Sequence, residues 1–126
     1  MSRKKVLHTV FDSVRLRLPA GFGFAQFERA FDGWDTFPLV DKNALIGGVL
    51  VKGNEIHVGY TKTPGFVVRR HIKQALVPLV KRYGCAKTAV SENNVAGLGF
   101  CARLGFHEVA RFDGIVFLRC EKPNYV

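Results

Sequence analysis

Residues 91–109 read SENNVAGLGFCARLGFHEV. Two asparagines precede a short run of helical character, a Leu-Gly-Phe ends it, and a strand-like tail follows at once. The first backbone N–H groups of any helix lack partners inside it, and an asparagine oxygen placed just ahead can accept from one of them. A glycine at the far end adopts the left-handed conformation that stops a helix. Asn94 is therefore the expected N-cap of a short helix within NVAGLGFCARLG (94–105), with Gly105 as an ordinary stop.

Outward from this stretch the elements alternate. CAKTAVS (85–91) reads as a short strand ahead of the helix, and HEVARFDGIVFLRCEK (107–122) as a strand pair turning at Asp113-Gly114. Upstream, Val68, Ile72, Ala75, Leu76, Leu79, Val80 and Tyr83 recur with the spacing of a buried helix face closed by Gly84. Pro78 interrupts it, and a mid-helix proline predicts a kink or a distorted second half. A Pro-Gly break at residues 64 and 65 precedes that helix. Before it, ALIGGVLVKGNEIHVGY (44–60) is two β-rich runs joined at Lys52-Gly53-Asn54, the signature of an antiparallel hairpin.

The first 43 residues are less regular. GFGFAQFERAFDGWD (21–35) sets Phe24, Phe27, Ala30 and Phe31 on one helical face, with Gly33 as the stop. In VFDSVRLRLP (10–19), Val14, Leu16 and Leu18 alternate with arginines and predict a half-buried strand ending at Pro19, although Val10, Phe11 and Val14 also suit a helix turn. The predicted order is β, α, β-hairpin, α, β, α, β-hairpin. A helix crossing between the first hairpin and CAKTAVS makes those strands parallel, so the class is α/β with a mixed, mostly antiparallel sheet flanked by helices.

With 126 residues, 48% of them hydrophobic, one compact domain over 1–126 is expected. No run approaches the roughly 18 apolar residues of a membrane span, and MSRKKVLHTVFDSV carries no secretory cleavage pattern. A soluble cytoplasmic protein is the expectation. Cys85, Cys101 and Cys120 form an odd set without a CxxC pair, which argues against a disulfide framework or a zinc ribbon and for free buried thiols. Nineteen Lys and Arg against ten Asp and Glu give a net charge of +9 and an affinity for anions, with clusters at SRKK (2–5) and RRHIK (69–73). No nucleic-acid motif accompanies the charge, so nucleic-acid binding ranks last.

The element order over residues 44–120, with Val90, Asn94, Leu98, Leu104, Gly105 and Phe106, resembles the GNAT superfamily of N-acetyltransferases. The resemblance implies an acyl-CoA N-acyltransferase fold, acetyl-CoA as cofactor and an amine as acceptor. It places Asn94 beside the cofactor arm, and Gly59 and Tyr60 where strand backbone groups meet an extended amide-bearing ligand. It also places the pyrophosphate at the start of the long helix, here TKTPGFVVRRHIK, where Gly65, Arg69 and Arg70 are the candidates. Val67 and Arg69 stand where the family's later loop glycines fall, and one glycine remains.

The tyrosine that many such enzymes use as general acid, five residues before the Phe of LGF, corresponds to Cys101. Glu55, His57 and Tyr60 lie on or near the strand that supplies the base. Glu55 and His57 share a face of that strand, and histidine is the residue type suited to proton transfer near neutrality. No metal site is expected.

With the glycine loop and the tyrosine both altered, the chain also resembles small acetyltransferase-like proteins of tailed bacteriophages. That likeness implies a fold kept for binding a host or virion protein, in host cytoplasm. Phe22, Phe24, Trp34 and Phe37 are the candidate contact surface for such a partner, provided that they are exposed together. The two readings are therefore an enzyme transferring acetyl from acetyl-CoA to an amine, with His57 or Glu55 as base and Cys101 as acid, and a catalytically degenerate protein-binding module.

Overall fold

The computed structural model describes residues 2–62 and 65–124, and the backbone alone at residues 66 and 67. Helix α1 spans Arg3–Val14, followed by a tight 3-10 turn at Arg15–Arg17, and α2 spans Phe24–Ala30. Strands β1 (Asp35–Asp41), β2 (Ala44–Lys52) and β3 (Glu55–Tyr60) lead to α3 (Phe66–Tyr83). Then come β4 (Ala86–Ser91), α4 (Val95–Leu104), β5 (His107–Phe112) and β6 (Ile115–Cys120). The six strands form one sheet in the order β1-β2-β3-β4-β6-β5. The β3–β4 pairing is parallel, whereas β1–β2, β4–β6 and β5–β6 are antiparallel, which is the α/β mixed sheet that the sequence predicts. The break at Pro64 lies outside the described residues.

The chain groups into two compact units. One runs up to Lys52 and resumes at His57–Ile72; the other comprises Gly53–Ile56 and the chain from Lys73 onward.

In the first unit, the Ser2 hydroxyl accepts from the Lys5 N–H at 3.2 Å and caps α1. Val6, Leu7 and Val10 then form its buried stripe. This corrects the strand expected over 10–19. The apparent alternation breaks up: Val14 ends the helix, Leu16 is 95% exposed in the turn that follows, and Leu18 returns to pack against the core. Leu7 and Val10 close on Phe27 of α2 and Leu50 of β2. Phe22, Phe24, Phe31 and Trp34 pack against that cluster, so these aromatics are core components and not the shared surface suggested by composition; only Phe37, of the four proposed contacts, is largely exposed. Ala30, expected on the buried face of α2, is exposed, because the helix ends there and the apolar side continues through Phe31 and Trp34. Gly33, expected as the stop, lies two residues beyond the C-cap Phe31, in the turn that follows, with φ at 81°.

Strand β1 was not foreseen. Pro38 and flanking aspartates weaken its strand signal, but it is first in the sheet order, and an edge strand tolerates a proline. Its two-residue turn into β2 uses Lys42 and Asn43, both with positive φ.

Glycines set how closely α1 approaches the sheet. A Cβ added at Gly59 would lie 2.7 Å from Val10 Cγ1 and 2.8 Å from Ser13 Oγ. One added at Gly48 would collide with Val6 Cγ1.

In the second unit, β4 sits between the start of β3 and β6. Glu55 is in register with Lys87, and the Lys87 N–H donates to the Asn54 carbonyl at 2.9 Å. Ala86, Thr88, Val116, Leu118 and Cys120 form a buried sheet face, and Leu76, Phe100, Leu104 and Phe106 are buried side chains of the same unit. Helix α3 continues through Pro78, which is exposed, so the lost donor does not end the helix. Asp113 and Gly114 make the β5–β6 turn with φ of 52° and 78°. The residues after β6 strap the end of α4: the Asn124 N–H donates to the Leu104 carbonyl at 3.0 Å, and its Nδ2 to the Arg103 carbonyl at 3.2 Å.

Replacing Gly59 by alanine is expected to cost about 1–3 kcal/mol, the range for overpacking a filled interior. Thermal denaturation checks it. A Gly59→Ala protein as stable as the parent would show that α1 is free to shift.

Candidate functional site

The candidate residues fall in both units. In the first, His57 projects from β3 toward an aromatic wall: its ring centroid lies 5.5 Å from that of Trp34 and 6.2 Å from that of Phe31. Phe31 and Trp34 are themselves in edge-on contact at 5.1 Å. Their backbone is tied down from α1, because Arg3 donates to the Trp34 carbonyl at 2.6 Å and to the Phe31 carbonyl at 2.7 Å. A charged donor on two carbonyls just beyond a helix end satisfies acceptors that the helix leaves open. One arginine of the SRKK cluster thus has a structural task. Sequence reasoning found His57 but not its aromatic neighbours; their only signal was the phenylalanine spacing of α2 and the Trp beyond Gly33.

Gly59 carries no side chain because α1 occupies the space, as described above. Tyr60 is half-buried at the end of β3. Beyond it, the Thr61 N–H donates to the Ile46 carbonyl at 2.8 Å. Gly65 immediately precedes α3, and its carbonyl accepts from the Arg69 N–H at 3.0 Å. That is the first bond of the helix, so the N–H groups of residues 66–68 have no partner within it. Arg69 is half-buried and Arg70 exposed on this opening turn. Two cationic residues thus follow the positive end of the helix dipole, where cations are disfavoured and anions favoured.

In the second unit, Glu55 lines a groove with Asn54, Lys87 and Arg119. Asn94 caps α4 as expected, its Oδ1 accepting from the Gly97 N–H at 3.0 Å. Gly105, with φ at 111°, closes the same helix. Cys101 lies on α4 one turn before that stop, and its carbonyl accepts from the Phe106 N–H at 3.0 Å. Burial pushes its thiol from an ordinary 9.0 up to about 11. A thiol so hard to ionise is a weaker acid than an ordinary one, at about 8.5, that would leave as thiolate. Among the described residues, no helix is long and apolar enough to cross a membrane, and no three of His, Cys, Asp or Glu are grouped to hold a metal ion.

No protein-family model matches the chain, and no curated protein matches its sequence. The solved structures do match, and they define the fold as that of the GNAT acetyltransferases. PH1933 from Pyrococcus horikoshii OT3 superposes with a TM-score of 0.72 at 18% identity, covering 97% of this chain and 93% of that one. The ribosomal-protein-S18-alanine N-acetyltransferase of Escherichia coli gives 0.65 at 16% identity, over 98% of this chain and 90% of its own. The PaiA N-acetyltransferase of Thermoplasma acidophilum, solved with coenzyme A, gives 0.64 at 10% identity, over 94% and 90%.

The Cys101 shift carries a pH prediction. With its folded pKa above the unfolded one, the thiol's contribution to stability is complete below pH 9.0 and is lost as pH rises through about 11. Cys120, also pushed up by burial, adds to the same slope. Cys101→Ala should therefore flatten the fall of Tm across that window without abolishing it. Parallel declines in parent and variant would mean that Cys101 ionises equally well folded and unfolded.

Proposed function

We propose that the chain is an acetyl-CoA-dependent N-acetyltransferase that acts by direct attack of an amine. The observation that carries this reading is His57, a proton acceptor set on β3 against the faces and edges of Trp34 and Phe31. Aromatic rings hold a cationic amine through their quadrupole, and a neighbouring imidazole takes its proton as the amine becomes a nucleophile. Arg3 keeps both rings in place through their backbone carbonyls. Arg3 is thus a positioning residue and His57 the catalytic one.

Acetyl-CoA would supply the thioester carbonyl. Residues 65–70 fit its phosphates, with the N–H groups at the opening of α3 and the Arg69 and Arg70 side chains as donors. Gly59 and Tyr60 end the strand along which an extended amide-bearing arm would run. Asn94 is assigned to capping α4 and Cys101 to packing, since a thiol raised to about 11 is a poor proton donor. Several structural neighbours support the reading by what they do: they are N-acetyltransferases, and some hold coenzyme A or acetyl-CoA.

A second reading has one observation in its favour. Val67 and Arg69 replace loop glycines, and a side chain at those positions limits backbone approach to a phosphate. The fold would then serve to bind a protein, as in the small phage proteins that the sequence resembles.

Calorimetric titration of acetyl-CoA and CoA, at low and moderate salt, separates the two. The enzyme reading expects micromolar binding that persists with salt and weakens about tenfold or more when Arg69 and Arg70 are both changed to alanine. His57→Gln should leave that binding intact and lower kcat about 10²–10⁴-fold on any accepted amine. No heat, or heat abolished by moderate salt, would favour the binding module.

A further inference from the structure

Within the second unit, the three strands β4, β6 and β5 leave one side of the sheet open. Along β6, Val116, Leu118 and Cys120 are buried, whereas Ile115, Phe117 and Arg119 are exposed on the opposite side. Strand pairing carries that outer side across the three strands in rows. Ser91, Ile115 and Phe112 form one row, Ala89, Phe117 and Ala110 the next, and Lys87, Arg119 and His107 the third. Val109, at the bulge of β5, shares a groove of about 320 Å³ with Phe117, Lys87 and Arg119. Phe112 is 76% exposed, Val109 54% and Phe117 40%. Large apolar side chains gathered on one surface mark an interaction site, where scattered ones do not.

Charge varies along the strands of this face. Its third row is cationic: Lys87 and Arg119 stand opposite each other, and one carboxylate, Glu121, serves both Arg119 and His107. The other end, at the β5–β6 turn, carries Asp113 and Glu92, whose N–H donates to the Gly114 carbonyl at 2.9 Å. Arg111 reaches Glu92 at 3.4 Å but is held closer by Glu108, at 2.7 Å. At the rise of a strand, the chain from Arg119 back to Asp113 covers roughly 20 Å. The face is therefore cationic at one end, apolar in the middle and acidic at the other.

We propose that the chain dimerises by stacking this face on the same face of a second copy, with the strands antiparallel across the interface. Packed sheets keep their strand directions within about 30° of each other, and a twofold axis then permits two aligned arrangements. With the strands parallel, each row lies on its like, and the Lys87 and Arg119 row of one copy meets that of the other. With the strands antiparallel, each cationic row meets the Glu92 and Asp113 end of the other copy, and the Phe117 row lies over the Ile115 row. The order of charge thus fits the face to itself, reversed. Extension of the sheet past β5 is a different contact, and the edge is guarded against it by the bulge and by the Glu108–Arg111 pair. A face three strands wide and six residues long measures roughly 14 by 20 Å, which is small for an interface, so a weak dimer with a Kd of about 10–100 μM is expected.

Sedimentation equilibrium of the full chain from about 1 to 500 μM tests this, a range that brackets the expected Kd. No cofactor enters the measurement, so its outcome is independent of the activity proposed above. Expected are a monomer–dimer equilibrium and, on dilution of the ¹⁵N-labelled protein, amide shifts confined to β4, β5, β6 and the Asp113-Gly114 turn. Phe117→Asp and Phe112→Lys should each weaken dimerisation about tenfold or more, with the circular dichroism spectrum unchanged. Phe112, the more exposed of the two, keeps the test valid where Phe117→Asp does not fold. Lys87→Glu and Glu92→Lys should each weaken the dimer about tenfold, and the double variant should recover the parental affinity, because the antiparallel stack exchanges the two charges. A double variant no tighter than either single one would overturn the antiparallel arrangement. A chain still monomeric at the highest concentration, or a dimer indifferent to Phe112→Lys, would overturn the interface and leave the face to a different protein. Slowed hydrogen exchange along the free edge of β5 on dimerisation would overturn it in favour of sheet extension.

Discussion

The close seat of α1 on the glycines of β2 and β3 is the constraint that organises the first unit. Val6 and Val10 occupy the space that side chains at Gly48 and Gly59 would need. Only at that distance can Leu7 and Val10 reach both Leu50 on the sheet and Phe27 on α2. Once α2 is docked by Phe27, Phe31 and Trp34 follow beyond its end, and Arg3 binds their carbonyls from the start of the same α1. The surroundings of His57 are thus a remote consequence of two positions without side chains. Burial of Leu7, at 0% exposure, and of Val10 is the driving force, on the order of 1.5–3 kcal/mol for each such side chain.

The second unit is held differently, by satisfied backbone groups at the ends of a short helix. Ten residues of α4 would be marginal alone. Asn94 closes its first turn, Gly105 its last, and the segment after β6 returns to cover the remaining carbonyls through Asn124. A Cβ at Gly105 would come within 2.7 Å of the Lys122 carbonyl, so that return path requires the glycine twice, for its φ and for its size. Gly97 is fixed for a related reason: a side chain there would run into the Asn94 amide that caps the helix. Asn94, Gly97 and Gly105 therefore form one structural solution before any ligand is considered.

What could be read in advance follows from this division. The stretch 91–109 was legible because caps and stops are local chemistry, written in the residues that perform them. The hairpin at Gly53-Asn54, the turn at Asp113-Gly114 and the stripe of α3 through Val68, Ile72 and Leu76 were legible on the same grounds, whereas Tyr83, expected on that stripe, is 45% exposed at the end of the helix. The first 43 residues were not, since their structure is decided by tertiary packing. Whether Val10 faces a helix partner or a strand partner depends on Gly48 and Gly59, which lie far along the chain. Strand β1 exists through its pairing with β2, and the exposure of the aromatics was decided by α1. For the site, single residues such as His57 and Asn94 could be named from sequence, whereas Trp34 and Phe31 beside His57, or Lys87 opposite Arg119, are products of packing and register.

The same distinction bears on the net charge of +9. Some of the cations behind it are tied down within the fold. Arg3 is held by two carbonyls, Arg111 bridges Glu108 and Glu92, and Arg119 shares Glu121 with His107. Hydrogen bonding to Arg111 holds the Glu108 carboxyl below its usual range, and bonding to His107 and Arg119 does the same for Glu121. Such exposed pairs contribute little to stability, but they fix where side chains point. Arg69 and Arg70 lie near the start of α3, and Lys87 faces Arg119 across the β4–β6 ladder. The placement of such cations, more than the total charge, decides what the surface attracts.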